Sequence, residues 1–250
     1  MLILSIDTSG SHGSIALSEG ARLLLTRSLN TQQQHAQRLV VELEQLFHES
    51  GRTLSELNLI AVSLGPGSFT GVRVGVVCAK TLAFVHQCPV IGVDTLQAWA
   101  LSSLAERTDH VDGILWVVEN AQRGDLFAGA YRCSGSGPCE PVQPVSLLSA
   151  SEFLRRVGPV DFVLGPGIAI VSEQLPTERV WPARHDLSQP TGSTLEGLPL
   201  ASAVARIGFQ EFQRRGGDDV RLLEPRYLRL SAAEEKWLAR QGGAAPAAVP

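Results

Sequence analysis

The stretch SLGPGSFTGVRVGVVCAK, Ser63 to Lys80, decides the fold, because its Leu-Gly-Pro-Gly core returns in VLGPGIA, Val163 to Ala169. The two cores, Leu64-Gly65-Pro66-Gly67 and Leu164-Gly165-Pro166-Gly167, lie 100 positions apart. Upstream of the first core, LILSIDT, GSIALSE and RLLLTRSL alternate with turns at Ser9-Gly10 and Glu19-Gly20, the pattern of an antiparallel three-strand meander. From His35 the apolar residues Leu39, Val40, Leu43, Leu46 and Phe47 recur every three or four positions, which predicts an amphipathic helix over His35–Ser50, ended by Gly51. LNLIAVSL then runs apolar into the glycine turn, as a strand buried on both faces does. A helix over Ser68–His86, a strand PVIGVD and a helix from Thr95, capped by Asp94 or Thr95, complete the first half.

The second half repeats that order. GILWVVEN, DLFAGAYR and EPVQPVSLL read as strands, SASEFLRRV as a helix, and VDFVLGPG as a buried strand with the same turn and a helix expected after it. The shared motif therefore occupies the same slot in both halves, which favours duplication over coincidence. A last helix, Leu200–Arg215, precedes EPRYLRL and a tail, RQGGAAPAAVP, whose Ala, Gly and Pro content predicts disorder. The expected fold is α/β with two duplicated lobes of mixed sheet, 1–108 and 109–230, the last helix packing back towards the first lobe, and a tail over 231–250. Three strands, a helix, a strand, a helix, a strand and a helix, written twice, resemble the ribonuclease-H-like lobes of actin-type ATPases. That resemblance implies a cleft between the lobes, bordered by both glycine turns at the carboxyl ends of the strands.

At 250 residues, 44% hydrophobic and 18% charged, the chain can bury a large core. Its net charge of −4 excludes a free-standing nucleic-acid binder of the usual basic kind, so tRNA or any other RNA would be held through a partner. The start MLILSID has no basic region and reaches Asp7 early, so neither a signal peptide nor an anchor is expected. No membrane role is read, and a cytoplasmic protein is the simplest expectation. Cys78, Cys88, Cys133 and Cys139 form no C-x-x-C pair and read as reduced core thiols; a Cys133–Cys139 disulfide across CSGSGPC is the alternative.

Gly65, Gly67 and Ser68 could present backbone N–H groups and a helix start to an anion, with Asp7 and Thr8 from the first hairpin beside them, so a nucleotide in the cleft is weighed. The alternative is a turn set by Pro66 with Ser68 as helix cap and Asp7 capping its own turn. The lysine of a Walker A loop is missing, and Ser68 lacks the glycine spacing of a nucleophile elbow. No histidine pair has metal-binding spacing, so no metal site, no catalytic residue and no required cofactor are expected. In SFTGVRVGVVCAKTLAFVH only Arg73 and Lys80 carry full charge; a helix this apolar lies deep inside the fold or needs a partner on its outer face. Its small residues Gly67, Gly71, Gly75, Ala79 and Ala83 recur every fourth position and form a stripe that a partner helix, or the chain's own lobe, could approach closely.

ILSIDTS, GPGSFTGVRVG with GVDTL, His35-Ala36-Gln37-Arg38 and PRYLR together resemble the TsaB (YeaZ) family, over nearly the whole chain except the tail. The resemblance implies a non-catalytic paralogue of the tRNA threonylcarbamoyltransferase TsaD. It would scaffold threonylcarbamoylation of the adenosine beside the anticodon by binding TsaD through a helix bundle, with the P-loop protein TsaE joining and tRNA reached through the complex. Alone, such a chain would form a homodimer. The bundle maps to His35–Ser50 and Ser68–His86, which places the partner interface at His35, Leu39, Leu43, Gly71, Val72, Gly75, Val76, Ala79 and Ala83. The alternative is an actin-like-fold nucleotide hydrolase or a glycoprotease-like peptidase. Where family members usually read Asp-Ala-Arg, this chain has Asn120-Ala121-Gln122, which leaves the role of that turn open.

Overall fold

Every residue of strand β1 (Leu2–Asp7) is buried, and its side chains alternate between two cores. Leu2, Leu4 and Ile6 enter one core with helices α1 (His35–Ser50) and α2 (Phe69–His86). Ile3, on the opposite face, enters another with α3 (Thr95–Ala105) and α5 (Leu200–Arg215). A strand with period-two side chains and helices on both faces needs apolar residues on both, and here only Ser5 and the terminal Asp7 are polar. The computed structural model describes residues 1–29, 35–105, 112–134, 139–181 and 199–229. The 108/109 boundary and the 231–250 tail lie outside the described residues.

β1 pairs antiparallel with β2 (Gly13–Glu19), which pairs antiparallel with β3 (Arg22–Leu29). On its other edge β1 runs parallel to β4 (Leu57–Ser63), and β4 parallel to β5 (Val90–Val93). The second sheet contains β6 (Asp112–Asn120), β7 (Asp125–Ser134), β8 (Glu140–Ser149), β9 (Phe162–Leu164) and β10 (Val180–Trp181), with α4 (Ala150–Arg156) between β8 and β9. The first sheet runs β3-β2-β1-β4-β5 and the second β8-β7-β6-β9-β10, with the same parallel and antiparallel neighbours. The order is one plan written twice, and Leu64-Gly65-Pro66-Gly67 leaves β4 where Leu164-Gly165-Pro166-Gly167 leaves its counterpart β9.

The glycines explain why the motif survives in both lobes. A Cβ on Gly67 would overlap the carbonyl of Ser9, just beyond β1. In the second lobe, a Cβ on Gly167 would come within 2.8 Å of the backbone of Glu119, near the end of β6. In each case the turn lies flush against the backbone at the end of its own lobe's first strand, and a side chain there would pry the two apart.

One feature departs from the sequence reading. Among the described residues between β9 and β10 there is no α-helix, and Pro166–Ile170 is a 3-10 turn. Its apolar run stops at Val171, and Pro176 disfavours helical geometry just before itself, so too few residues remain to nucleate a helix. As expected from the sequence, α5 follows the second lobe in the chain and packs back on the first sheet. Gly208 allows this closeness, since a Cβ there would sit 2.6 Å from the Ala61 methyl, and the Ala201 N–H reaches back to the Ser14 hydroxyl at 3.0 Å.

Candidate functional site

The carboxyl ends of β1 and β6 face each other where the lobes meet, and the candidate cleft residues gather there. Asp7 and Thr8 are each 1% exposed. The Asp7 carboxylate accepts from the Ser9 N–H (3.2 Å), the Ser9 hydroxyl (2.7 Å) and the Ser63 hydroxyl. Thr8 donates its hydroxyl to the Gly71 carbonyl at 2.7 Å. The Ser68 N–H donates to the Ser9 carbonyl at 2.6 Å, and the Ser68 hydroxyl accepts from Gly71 N at 3.2 Å as the N-cap of α2. Gly65 donates its N–H to the Thr95 hydroxyl at 3.0 Å. Asp7 and Ser68 are linked through Ser9, Thr8 joins them at Gly71, Gly67 lies against the Ser9 carbonyl, and Gly65 pairs separately with Thr95. Much of the hydrogen-bonding capacity of this turn is thus taken up within the chain.

Across the cleft stands Glu119, half-buried at the end of β6. Burial, and secondarily the Asp7 charge, push its carboxyl up to about 7. Among the described residues no three His, Cys, Asp or Glu side chains gather as metal ligands.

The segment after α5 ties the lobes together. The Arg226 N–H donates to the Leu64 carbonyl at 2.7 Å, and its guanidinium pairs with Asp94 at 2.6 Å. Asp94 also caps α3 through Gln97 N (3.0 Å) and accepts from the buried Tyr131 hydroxyl of the second lobe at 3.1 Å. Three residues on, Arg229 pairs with Asp125 at 2.9 Å and donates to the carbonyls of Ala121 and Gln122. Those carbonyls belong to the Asn120-Ala121-Gln122 turn, which the Asp125 N–H closes on the Gln122 carbonyl at 3.1 Å around left-handed Arg123 (φ +58°) and Gly124 (φ +82°), a conformation that suits a two-residue hairpin turn. Asn120 Oδ1 accepts the Gln122 N–H at 2.7 Å. The turn that lacks the family's charged pair is therefore held by its own asparagine and by Arg229. Neither Asp94, Tyr131, Glu119 nor Arg229 was singled out for a site from the sequence, because only the fold brings them together.

The second candidate region is the outer face of α1 and α2, and here the structure corrects the sequence reading. Leu39, Leu43, Gly71, Val72, Gly75, Val76, Ala79 and Ala83 are all buried against the chain's own first sheet. A Cβ on Gly71 would overlap the Thr8 carbonyl, and one on Gly75 the Thr8 hydroxyl. The small-residue stripe lets α2 lie close on the end of β1, the own-lobe packing that was the alternative reading of the stripe. The side chain of His35 lies outside the described residues.

What α2 turns outward is Val77, Phe84 and Val85, 56%, 76% and 65% exposed, and α1 adds Val40 and Val41. At the helix start Phe69 stacks on Tyr227 with ring centroids 4.6 Å apart, and Arg73 lies over the Phe69 ring at 4.8 Å. By length and composition α2 is the one helix among the described residues that could span a bilayer, but a third of it is buried in the fold. Lys80 within it donates to the carbonyls of Leu223 and Arg221. The available signal for the outer face was the adjacent Phe84-Val85, two large apolar residues on one exposed side of a helix end.

Comparison with known proteins gives this arrangement a family. A relative from Bacillus subtilis named tRNA threonylcarbamoyladenosine biosynthesis protein TsaB is 30% identical over 244 residues, covering 96% of this chain and 100% of the relative. One of the same name from Haemophilus influenzae is 36% identical over 254 residues, covering 96% and 99%. The chain belongs to the TsaB family. The solved structure described as YeaZ from Pseudomonas aeruginosa matches this TsaB-family chain with a TM-score of 0.72 at 26% identity, over 91% of this chain and 99% of that one. A family model described as TsaD, tRNA N6-adenosine threonylcarbamoyltransferase, matches residues 29–137. The duplicated sheets are those of the actin-like, ribonuclease-H-like fold, as the resemblance implied.

Proposed function

We propose that this chain is an accessory, non-catalytic subunit in the biosynthesis of threonylcarbamoyladenosine in tRNA, and that it acts by binding a TsaD-type transferase through the outer face of α1 and α2. The observation that carries the reading is the exposure of Val40, Val41, Val77, Phe84 and Val85 on two neighbouring helices. Apolar side chains exposed together on neighbouring helices mark an association site. The cleft supports the non-catalytic part: Asp7 is buried in hydrogen bonds to Ser9 and Ser63, and Ser68 caps α2 through the Gly71 N–H. The subunit requires no cofactor of its own in this proposal. TsaE and tRNA join through the complex in the cytoplasm, and without TsaD the same face pairs with a second copy. Isolation of the tagged chain from its native cell, with mass-spectrometric identification of what binds, tests the reading. Stoichiometric recovery of the TsaD-type transferase is expected, and a preparation that contains none of it would overturn the proposal.

A further inference from the structure

The β7–β8 hairpin carries two thiols that the proposed function does not use. β8 pairs with β7 so that Arg132 faces Glu140 and Tyr131 faces Pro141. One step further along this register Cys133 faces Cys139, and their Sγ atoms lie 3.1 Å apart, both thiols buried. Residues directly opposite on antiparallel strands have Cα atoms about 4.5–5.5 Å apart, inside the roughly 4.4–6.8 Å range that a disulfide spans. We propose that Cys133 and Cys139 form a reversible disulfide that closes the β7–β8 hairpin under oxidising conditions.

The two thiols share one S–H···S hydrogen bond, which either sulfur can donate. Either sulfur can begin the oxidation, and the steps are the same with the two exchanged. With hydrogen peroxide as oxidant, the Cys133 sulfur takes one peroxide oxygen, the O–O bond breaks, and water leaves a sulfenic acid. The Cys139 sulfur then attacks Cys133, the hydroxyl departs with the Cys139 proton as a second water, and the S–S bond forms. Two thiols and one peroxide give one disulfide and two waters. Cys78 and Cys88 are set apart from this chemistry, since burial pushes each up to about 11. Gln97 of α3 donates to the Cys139 carbonyl at 3.2 Å, so the cross-link sits where the second lobe meets a helix of the first.

Native full-length chain treated with one equivalent of hydrogen peroxide, alkylated and mapped without reductant tests this assignment. The expected product has lost two hydrogens, contains a Cys133–Cys139 cross-linked peptide, retains alkylatable Cys78 and Cys88, and reverts with dithiothreitol. Closing a loop of seven residues should raise the Tm by roughly 5 °C relative to the reduced chain. Cys139→Ala should show neither the cross-link nor the shift, and the wild-type peptide map decides the matter even if that variant folds poorly. A cross-link through Cys78 or Cys88, overoxidation of Cys133 or Cys139 without a cross-link, or a Tm lowered by oxidation would each overturn it.

Discussion

Adding a single methyl group to Gly75 should destabilise this protein, although glycine to alanine inside a helix normally stabilises by about 1 kcal/mol. The new Cβ would overlap the Thr8 hydroxyl and come within 3.5 Å of the Ile6 Cγ2 and 3.6 Å of the Thr8 Cβ. Thr8 cannot yield freely, because it is 1% exposed and its hydroxyl bonds the Gly71 carbonyl at 2.7 Å. Rotating the hydroxyl away leaves a buried polar group unpaired, and lifting α2 overpacks the interface; either costs about 2–3 kcal/mol. Subtracting the helix gain leaves a loss of about 1–2 kcal/mol, which for a chain of this size lowers the Tm by roughly 2–8 °C. Calorimetry of Gly75→Ala alone and with Thr8→Ala reads the coupling. With the hydroxyl gone, the alanine at 75 should turn neutral or stabilising, so the two changes are strongly non-additive. If Gly75→Ala is stabilising in the wild type and Thr8→Ala makes no difference to it, the close contact of α2 with β1 is wrong.

Two further outcomes follow from the cleft. Because the Glu119 carboxyl is raised from 4.5 to about 7, the folded chain holds a proton there that the unfolded chain has lost, and stability falls as pH climbs through that window. Glu119→Gln should flatten this slope: it should match wild type at pH 4 and exceed it at pH 8 by about 3 kcal/mol, as read by urea melts across pH. Arg229→Ala removes the ion pair to Asp125 and both donors to the left-handed turn. Hydrogen exchange at Ala121 and Asp125, which close that turn, should quicken at least roughly tenfold while exchange in β1 is unchanged.

The sequence carried local order well and distance poorly. The run LNLIAVSL reads correctly as a strand buried on both faces because alternation disappears when helices cover both sides, and Ser68 is a helix cap by its chemistry alone. The repeated glycine motif located both lobes' central turns, since the close approach it permits is a property of the motif. The stripe at Gly71, Gly75, Ala79 and Ala83 misled for the same reason. Small residues every fourth position announce close packing without saying against what, and here it is Thr8 and Ile6, more than sixty positions away in the chain. The strap from Arg226 to Arg229, with Asp94, Tyr131 and Asp125 as its partners, has no periodicity at all. Its ends meet only once both lobes exist.

The outer face of α1 and α2 carries the proposed association, and one titration addresses it directly. Phe84→Glu with Val85→Glu places charges at positions 76% and 65% exposed, so the double variant should melt with the wild type. Isothermal titration of the TsaD-type transferase from the same cell into wild type and variant then gives the answer. Two charges in a desolvated apolar contact should weaken binding by at least roughly 100-fold and leave the variant monomeric. A folded double variant that binds the transferase with wild-type affinity would place the interface elsewhere and contradict the proposal.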